Sequence, residues 1–250
     1  MADERRFNAV PGVRAVEALL THDPGRIASL LLGGEVTGAR KRLQTQAEQL
    51  GISTKMVKMN VINERIDGVA HQGVLALVEP ADYAPWDVLL ARPNGLILAV
   101  DQVTDPRNLG AMLRAGEAMG VTGALVTRSR CARLGPTVAK TSAGASELMP
   151  VAMESNLARA LDQAKNAGFQ VIGAAFDGEN PEALDLTVPT VLVVGSEGKG
   201  LRRLTQEVCD RIVTIPLSGR TESLNAATAA AVLFYAAATQ RREKNARCKA

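Results

Sequence analysis

The 250-residue chain is 46% hydrophobic and carries 29 basic against 26 acidic residues, a net charge of +3. That length suffices for a substantial core in one large domain or two smaller ones, and the near-balanced charge excludes a global positive field, so nucleic-acid affinity has to come from local clusters. Cys131, Cys209 and Cys248 lie far apart with only His22 and His71 to join them, which speaks against a zinc site and lends nothing to a disulfide framework; no metal is expected.

In chain order, Met1 to Phe7 is charged rather than apolar, unlike a secretory signal, and fits a cytoplasmic protein. Val13 to Leu20 reads as a short helix, Ile27 to Leu32 as a buried strand, Arg40 to Leu50 as an amphipathic helix and Gly73 to Val78 as a further strand. These make a small α/β domain over residues 1–79. Pro80, Pro85 and Pro93 then interrupt any single regular element, and the linker is placed at 80–94. From Gly95 the pattern becomes short apolar runs, Leu96 to Val100, Ala124 to Thr127, Val171 to Ala175, Val191 to Val194 and Ile212 to Ile215, alternating with helical windows such as Leu109 to Met119 and Leu157 to Ala167. Such alternation predicts a second α/β domain, 95–250, with a parallel sheet covered on both faces. Residues 223–240 lack charge, yet they are mostly alanine broken by Ser223, Asn225, Thr228, Thr239 and Gln240, too weakly apolar to span a bilayer.

Parallel sheets bind ligands beyond the carboxyl ends of their strands, so the loops there are the candidates. The first runs from Asp101 through Asp105-Pro106-Arg107-Asn108 to Gly110 and enters a helix carrying Arg114; alone, it equally suits an ordinary helix entry. The second, Gly195-Ser-Glu197-Gly198-Lys199-Gly200, packs three glycines into six positions, which demands a close backbone approach. It is not a phosphate-binding G-x-x-x-x-G-K-[ST] loop, because Val193 and Gly200 stand at the first glycine and the Ser/Thr positions, and Arg203 breaks the dinucleotide fingerprint. The third, Ile215 to Asn225, leaves the last strand for an alanine-rich helix, with Ser223 readable as a simple N-cap.

Taken in order on strand-loop-helix frames, these three segments resemble the motifs of the SpoU family of RNA ribose methyltransferases, and Ile66-Asp-Gly-Val-Ala-His71-Gln72-Gly73-Val74 is similar to the end of the substrate-binding domain, itself like ribosomal protein L30e, that precedes many members. One departure is that Ala226, Ala227 and Thr228 follow Asn225 where the family often has valine then serine. The resemblance implies a C-terminal α/β domain of the SPOUT type with a parallel sheet and a deep trefoil knot, an exception to the general absence of knots. It further implies S-adenosylmethionine as co-substrate, methyl transfer to a ribose 2′-hydroxyl, and dimerisation through the C-terminal domain. The nearest branch methylates a guanosine ribose of 23S rRNA. A tRNA methyltransferase of the same family, or a non-catalytic ribosome-assembly protein, remains open at this point.

By the same resemblance, Gly195, Ile215, Leu217 and Leu224 hold the cofactor, while Arg114, Asn108, Ser223, Asn225 and Glu197 form the catalytic group. Arg114 is expected to stay cationic and clamp the phosphate and the forming alkoxide, since its very high pKa opposes a role as base. Glu197 reads either as catalytic or as a carboxylate fixing the loops through backbone N–H bonds. Arg128, Arg130, Arg133 and Lys140 lie in a stretch, Arg128 to Ser146, without an acidic residue, which suits an RNA backbone or a solvated basic face; Arg40, Lys41 and Arg42 form a weaker patch. With one Trp, two Tyr and four Phe, shape and phosphate contacts are expected to outweigh base stacking. His71 reads as a hydrogen-bonded structural residue.

Overall fold

The computed structural model describes residues 7–66, 68–79 and 82–247; Cys248, Pro80 and the charged residues 1–6 lie outside the described residues. The chain divides into two compact units, one of residues 1–82 with 133–148 and one of residues 83–132 with 149–250.

The first unit contains β1 (Asn8–Pro11), α1 (Val13–His22), β2 (Ile27–Gly33), α2 (Gly38–Gln49), β3 (Thr54–Val57), α3 (Met59–Ile66) and β4 (Val74–Val78). Its sheet runs β1-β4-β2-β3, with β2 and β3 parallel and the other pairs antiparallel. Strand alternation separates two apolar faces. Leu30, Leu32, Val74, Ala76 and Val78 meet Val16 and Leu19 of α1 and Leu43 of α2, whereas Leu31, Leu75 and Leu77 meet Ile62 and Ile66 of α3. The four predicted elements are all present, each shifted by at most two residues, and β1, β3 and α3 are additional.

The second unit holds α4 (Trp86–Leu90), β5 (Leu96–Asp101), α5 (Pro106–Ala118) and β6 (Gly123–Thr127). The chain then contributes α6 (Pro136–Thr141) and α7 (Ala145–Leu148) to the first unit and returns for β7 (Val151–Glu154), α8 (Leu157–Asn166), β8 (Gln170–Glu179), β9 (Thr190–Gly195), α9 (Arg203–Val208), β10 (Arg211–Val213) and α10 (Ala226–Arg247). Within the first unit Ala139 of α6 joins the core, Gly144 lies where a Cβ would press on Ala15 and Ala18, and Arg26 pairs with Glu147 at 3.0 Å.

All strands of the second sheet are parallel, in the order β10-β8-β9-β5-β6-β7. Trp86, Leu89, Leu157, Leu161 and Ala164 cover one face over Ile97, Ala99, Leu125, Val171, Val191 and Val193, so the middle of the expected linker, residues 86–90, is a helix packed into this core. Helices α5 and α10 pack on one another, with Phe234 against Gly116. Full burial of Phe234 and Leu233 contributes about 1.5–3 kcal/mol each. The far end of α10 is fixed by Arg241, whose guanidinium donates to the carbonyls of Leu186, Asn94 and Val188 at 2.8, 2.6 and 2.7 Å. Among the described residues no helix is long and apolar enough to cross a membrane.

Candidate active site

Strand β9 ends at Gly195 beside Asp101, the last residue of β5. Ser196 and Gly200 then close a tight loop by exchanging backbone hydrogen bonds of 3.2 and 2.9 Å, with Gly198 and Gly200 at φ +75° and +62°. A Cβ on Gly195 would stand 2.2 Å from the carbonyl carbon and oxygen of Gly200. The close approach demanded by the glycines is therefore first of all the loop's approach to itself. Asp101 is wholly buried and holds the loop's exit: its two carboxylate oxygens accept from the Arg202 Nε at 2.7 Å and the Arg202 backbone N–H at 3.0 Å. In the sequence Asp101 marks only the start of a loop; the signal for its role is an acidic residue closing an otherwise apolar strand.

Next to this loop β8 parts from its neighbours. Gly173 is paired with Ile212 of β10, but the following β10 residue, Val213, pairs with Glu179, so 174–178 bulge out of the ladder. In the opening lies a cavity of about 380 Å³, within the range of small-molecule sites. The bulge supplies Ala174, Ala175 and Phe176, β9 and its loop supply Val194 to Gly198, and the irregular segment 214–225 supplies Ile215, Leu217, Ser223 and Leu224. All four residues expected at the cofactor thus line one cavity. The only charged side chains of the lining are Glu197 and Glu222, both carboxylates.

At the side of Glu197 the three loops meet. Asn108 donates from Nδ2 to Glu197 Oε1 at 3.1 Å, Asn225 donates to the same carboxylate oxygen, and Asn225 also donates to Asn108 Oδ1 at 3.1 Å. The partners of Glu197 are side-chain amides, not the backbone N–H groups expected. Asn225 Oδ1 accepts from the backbone N–H of Ala227 at 2.8 Å and of Thr228 at 3.3 Å. The N-cap of α10 is therefore Asn225, and the N-cap reading of Ser223 is corrected: the helix begins three residues later, and Ser223 lies in the cavity wall. Likewise β10 ends at Val213, leaving Ile215 in irregular backbone. Arg114 is exposed on α5 and is not in the cavity lining; among the described residues its side chain makes no hydrogen bond or ion pair.

The profile of the SpoU rRNA methylase family matches residues 95–235, more than half of the chain. The chain belongs to this family. A second profile, of the substrate-binding domain of RNA 2′-O ribose methyltransferases, matches residues 9–84. Among relatives, the 23S rRNA (guanosine-2′-O-)-methyltransferase RlmB of Pseudomonas syringae pv. tomato is 39% identical and the match covers 96% of this chain and 98% of its own. The RlmB of Pseudomonas aeruginosa is 40% identical, covering 94% and 98%. The SpoU methyltransferase AviRb from Streptomyces viridochromogenes, solved with AdoMet, superposes with a TM-score of 0.77 at 28% identity over 95% of this chain and 91% of that one. A TrmH/SpoU tRNA-modifying enzyme of A. aeolicus reaches a TM-score of 0.56 at 30% identity but covers 64% of this chain.

The SpoU profile runs through residues 133–148, although these pack in the unit of the substrate-binding match. The expected basic stretch is divided accordingly. Arg128 and Arg130 are exposed beyond the end of β6, and that loop is joined to the Asp101–Asn108 loop by the Ala132 N–H to Val103 carbonyl bond of 2.8 Å. Arg133 and Lys140 belong to the other unit, where the Lys140 amine donates to Gln72 Oε1 at 3.1 Å and burial lowers its pKa. His71 is 8% exposed; its Nδ1 accepts from the Gly73 N–H and its Nε2 faces Asn63 Oδ1, which fixes a neutral ring protonated at Nε2. Burial, then the Lys140 charge, lowers its pKa. Cys209 is an inert thiol, pushed up to about 12 by burial. Among the described residues no three His, Cys, Asp or Glu side chains are grouped to hold a metal.

Proposed function

We propose that this chain transfers the methyl group of S-adenosylmethionine to the 2′-hydroxyl of a guanosine in 23S rRNA. The observation that carries the reading is the joining of all three loops through Asn108, Glu197 and Asn225 at a cavity walled by Gly195, Ile215, Leu217 and Leu224. When bound, S-adenosylmethionine supplies an electrophilic methyl group on a sulfonium centre. The lining fits such a ligand: apolar walls and backbone for the adenosine, and only carboxylates as charges facing a cation. Match length favours the rRNA branch, since the RlmB relatives align over nearly the whole chain while the tRNA-modifying enzyme spans about two thirds of it.

In this reading Asn108, Asn225 and Ser223 orient the ribose with neutral hydrogen-bonding groups, and Glu197 fixes the two amides in place. Arg114 is six residues from Asn108 along α5, about 9 Å of helix rise, a reach suited to the phosphate next to the target ribose. Its guanidinium stabilises the developing alkoxide. Arg128 and Arg130 extend the phosphate contacts beside the site, with Arg133 and Lys140 on the substrate-binding unit. The chain works as a homodimer in the cytoplasm; α10 turns Ala226, Ala230 and Ala237 into its own fold and leaves Val232 and Tyr235 exposed as the apolar contacts for a second copy.

The test is to add purified protein and methyl-labelled cofactor to unmodified 23S rRNA and tRNA transcripts and map the label. A 2′-O-methylguanosine in 23S rRNA is expected; label confined to tRNA overturns the substrate, and no label overturns the enzymatic reading. Arg114→Gln should lower the single-turnover rate at saturating RNA at least about a hundredfold, and a near-normal rate removes Arg114 from the site. Light scattering should give twice the chain mass, reduced to one by Tyr235→Glu, and cell fractionation should find the protein in the cytosol.

A further inference from the structure

Phe176 is 62% exposed, whereas Phe169 and Phe234 are 4% and 0% exposed in the core. Of the seven aromatic side chains in the chain, Phe176 and Tyr235 are mostly exposed, and only Phe176 stands at the rim of the cavity. Its position is built. The bulge 174–178 lifts it from the β8 ladder, and bulges are a standard device for re-aiming a side chain beside an active site. The bulge is pinned at its centre and its far end: Thr214 Oγ1 donates to the Phe176 carbonyl at 2.9 Å, and the Thr214 N–H donates to the Glu179 carbonyl at 2.9 Å. Glu179 pairs with Arg211 through both carboxylate oxygens, and Gly178 packs so closely on Ile212 that a Cβ would stand 2.6 Å from its carbonyl oxygen. The ring therefore borders the cavity on one side and presents most of its surface to solvent. A residue serving only as a cofactor wall would turn its ring inward.

We infer that Phe176 is the stacking platform for the base of the nucleotide being methylated, a substrate-positioning role that rests on the function proposed above. To present its 2′-hydroxyl at the cavity, a nucleotide has to enter past this rim, and an unpaired base finds there an aromatic face of fixed height. Single-stranded RNA bases are commonly held in this way, and the loss of one such stack weakens binding by about five- to a hundredfold. Stacking is tolerant of base identity, so Phe176 sets geometry while other groups select guanine.

The experiment compares Phe176→Ala, Phe176→Leu and Phe176→Trp in the full chain with a 23S rRNA transcript. The Ala and Leu variants should raise the KM for RNA about five- to a hundredfold, a larger loss than the one calorimetry shows for S-adenosylmethionine, whose cavity the ring only borders, and the Trp variant should keep a near-normal KM. Its added indole emission should be quenched by the transcript and not by S-adenosylmethionine alone. A normal RNA KM for Phe176→Leu overturns the inference, as does a cofactor affinity weakened as much as RNA binding, or a light-scattering mass that drops with the Ala variant, which would make Phe176 a contact between copies. Quenching without methyl transfer sinks the proposed reaction and keeps the platform; methyl transfer indifferent to Phe176 sinks the platform alone.

Discussion

The pair formed by Asp101 and Arg202 should decide whether the glycine loop stays closed. Asp101 is 0% exposed, while the Arg202 side chain is 46% exposed, so the two partners are not equivalent. Removing the carboxylate frees a guanidinium that water reaches; removing the guanidinium strands a buried carboxylate on a single backbone N–H. Asp101→Asn keeps one acceptor but turns a donor toward the other Arg202 N–H, losing about 1.5–3 kcal/mol, the usual worth of a hydrogen bond to a charged group. Arg202→Ala should lose more, about 3–5 kcal/mol, the range for an uncompensated buried charge. The double variant should then be close to Asp101→Asn alone. Urea denaturation measures all three, and calorimetry with S-adenosylmethionine should show weaker binding in each because the loop lines the cavity. If Arg202→Ala stays within about 1 kcal/mol of the parent, well below that range, the ion pair does not hold this loop. Lost stability with unchanged cofactor affinity would separate the clamp from the cavity.

Gly195→Ala places a methyl group against Gly200 backbone at 2.2 Å, which no side-chain rearrangement relieves; it should abolish cofactor binding in calorimetry, and retained binding would show that the loop moves freely. His71, buried and held neutral, has a folded pKa below its ordinary value of about 6.5. The unfolded chain then binds the extra proton, so this stability is complete above pH 6.5 and is lost as the pH falls through the lowered folded value. Denaturation at a series of pH values should show a steeper acid-side decline for the parent than for His71→Gln; equal slopes would refute the assignment.

Much of the fold was written in apolar runs. Leu96 to Val100, Ala124 to Thr127 and Val191 to Val194 each fall within a fully buried strand, because a strand covered on both faces has nothing but apolar positions to offer. Edge strands lack that signal. In β1 the run ends in Pro11, which only an edge tolerates, and β3 has no buried residue at all. Helix α3 shows just Ile62 and Ile66 to the core, too sparse a stripe to read. Nothing in the stretch 133–148 marks its departure for the other unit, since small residues such as Ala139 and Gly144 act only through what they lie against. The bulge in β8 was also invisible: Val171 to Ala175 reads as one strand, and the register shift after Gly173 depends on β10.

For the third loop, the sequence offered a helix cap at Ser223 as the alternative to a site role; the cap falls on Asn225, whose side chain also reaches the junction of the three loops. Its Oδ1 is engaged by the N–H groups of Ala227 and Thr228, which fixes the amide orientation that would otherwise be open to a flip and leaves Nδ2 to donate to Glu197 and Asn108. Capping thus aims the amide at the junction of the three loops. The two roles separate chemically: aspartate caps as well as asparagine, whereas alanine forfeits about 1 kcal/mol. Asn225→Asp should therefore keep the parent's melting temperature more nearly than Asn225→Ala, yet it replaces a donor by a carboxylate facing Glu197. Repulsion between the two should open the junction of the three loops, and methyl transfer should fall at least as far in the aspartate variant as in the alanine variant. If activity instead follows stability, with aspartate near normal and alanine impaired, Asn225 serves the site only as a cap, and the bonds to Glu197 and Asn108 carry no part of the chemistry.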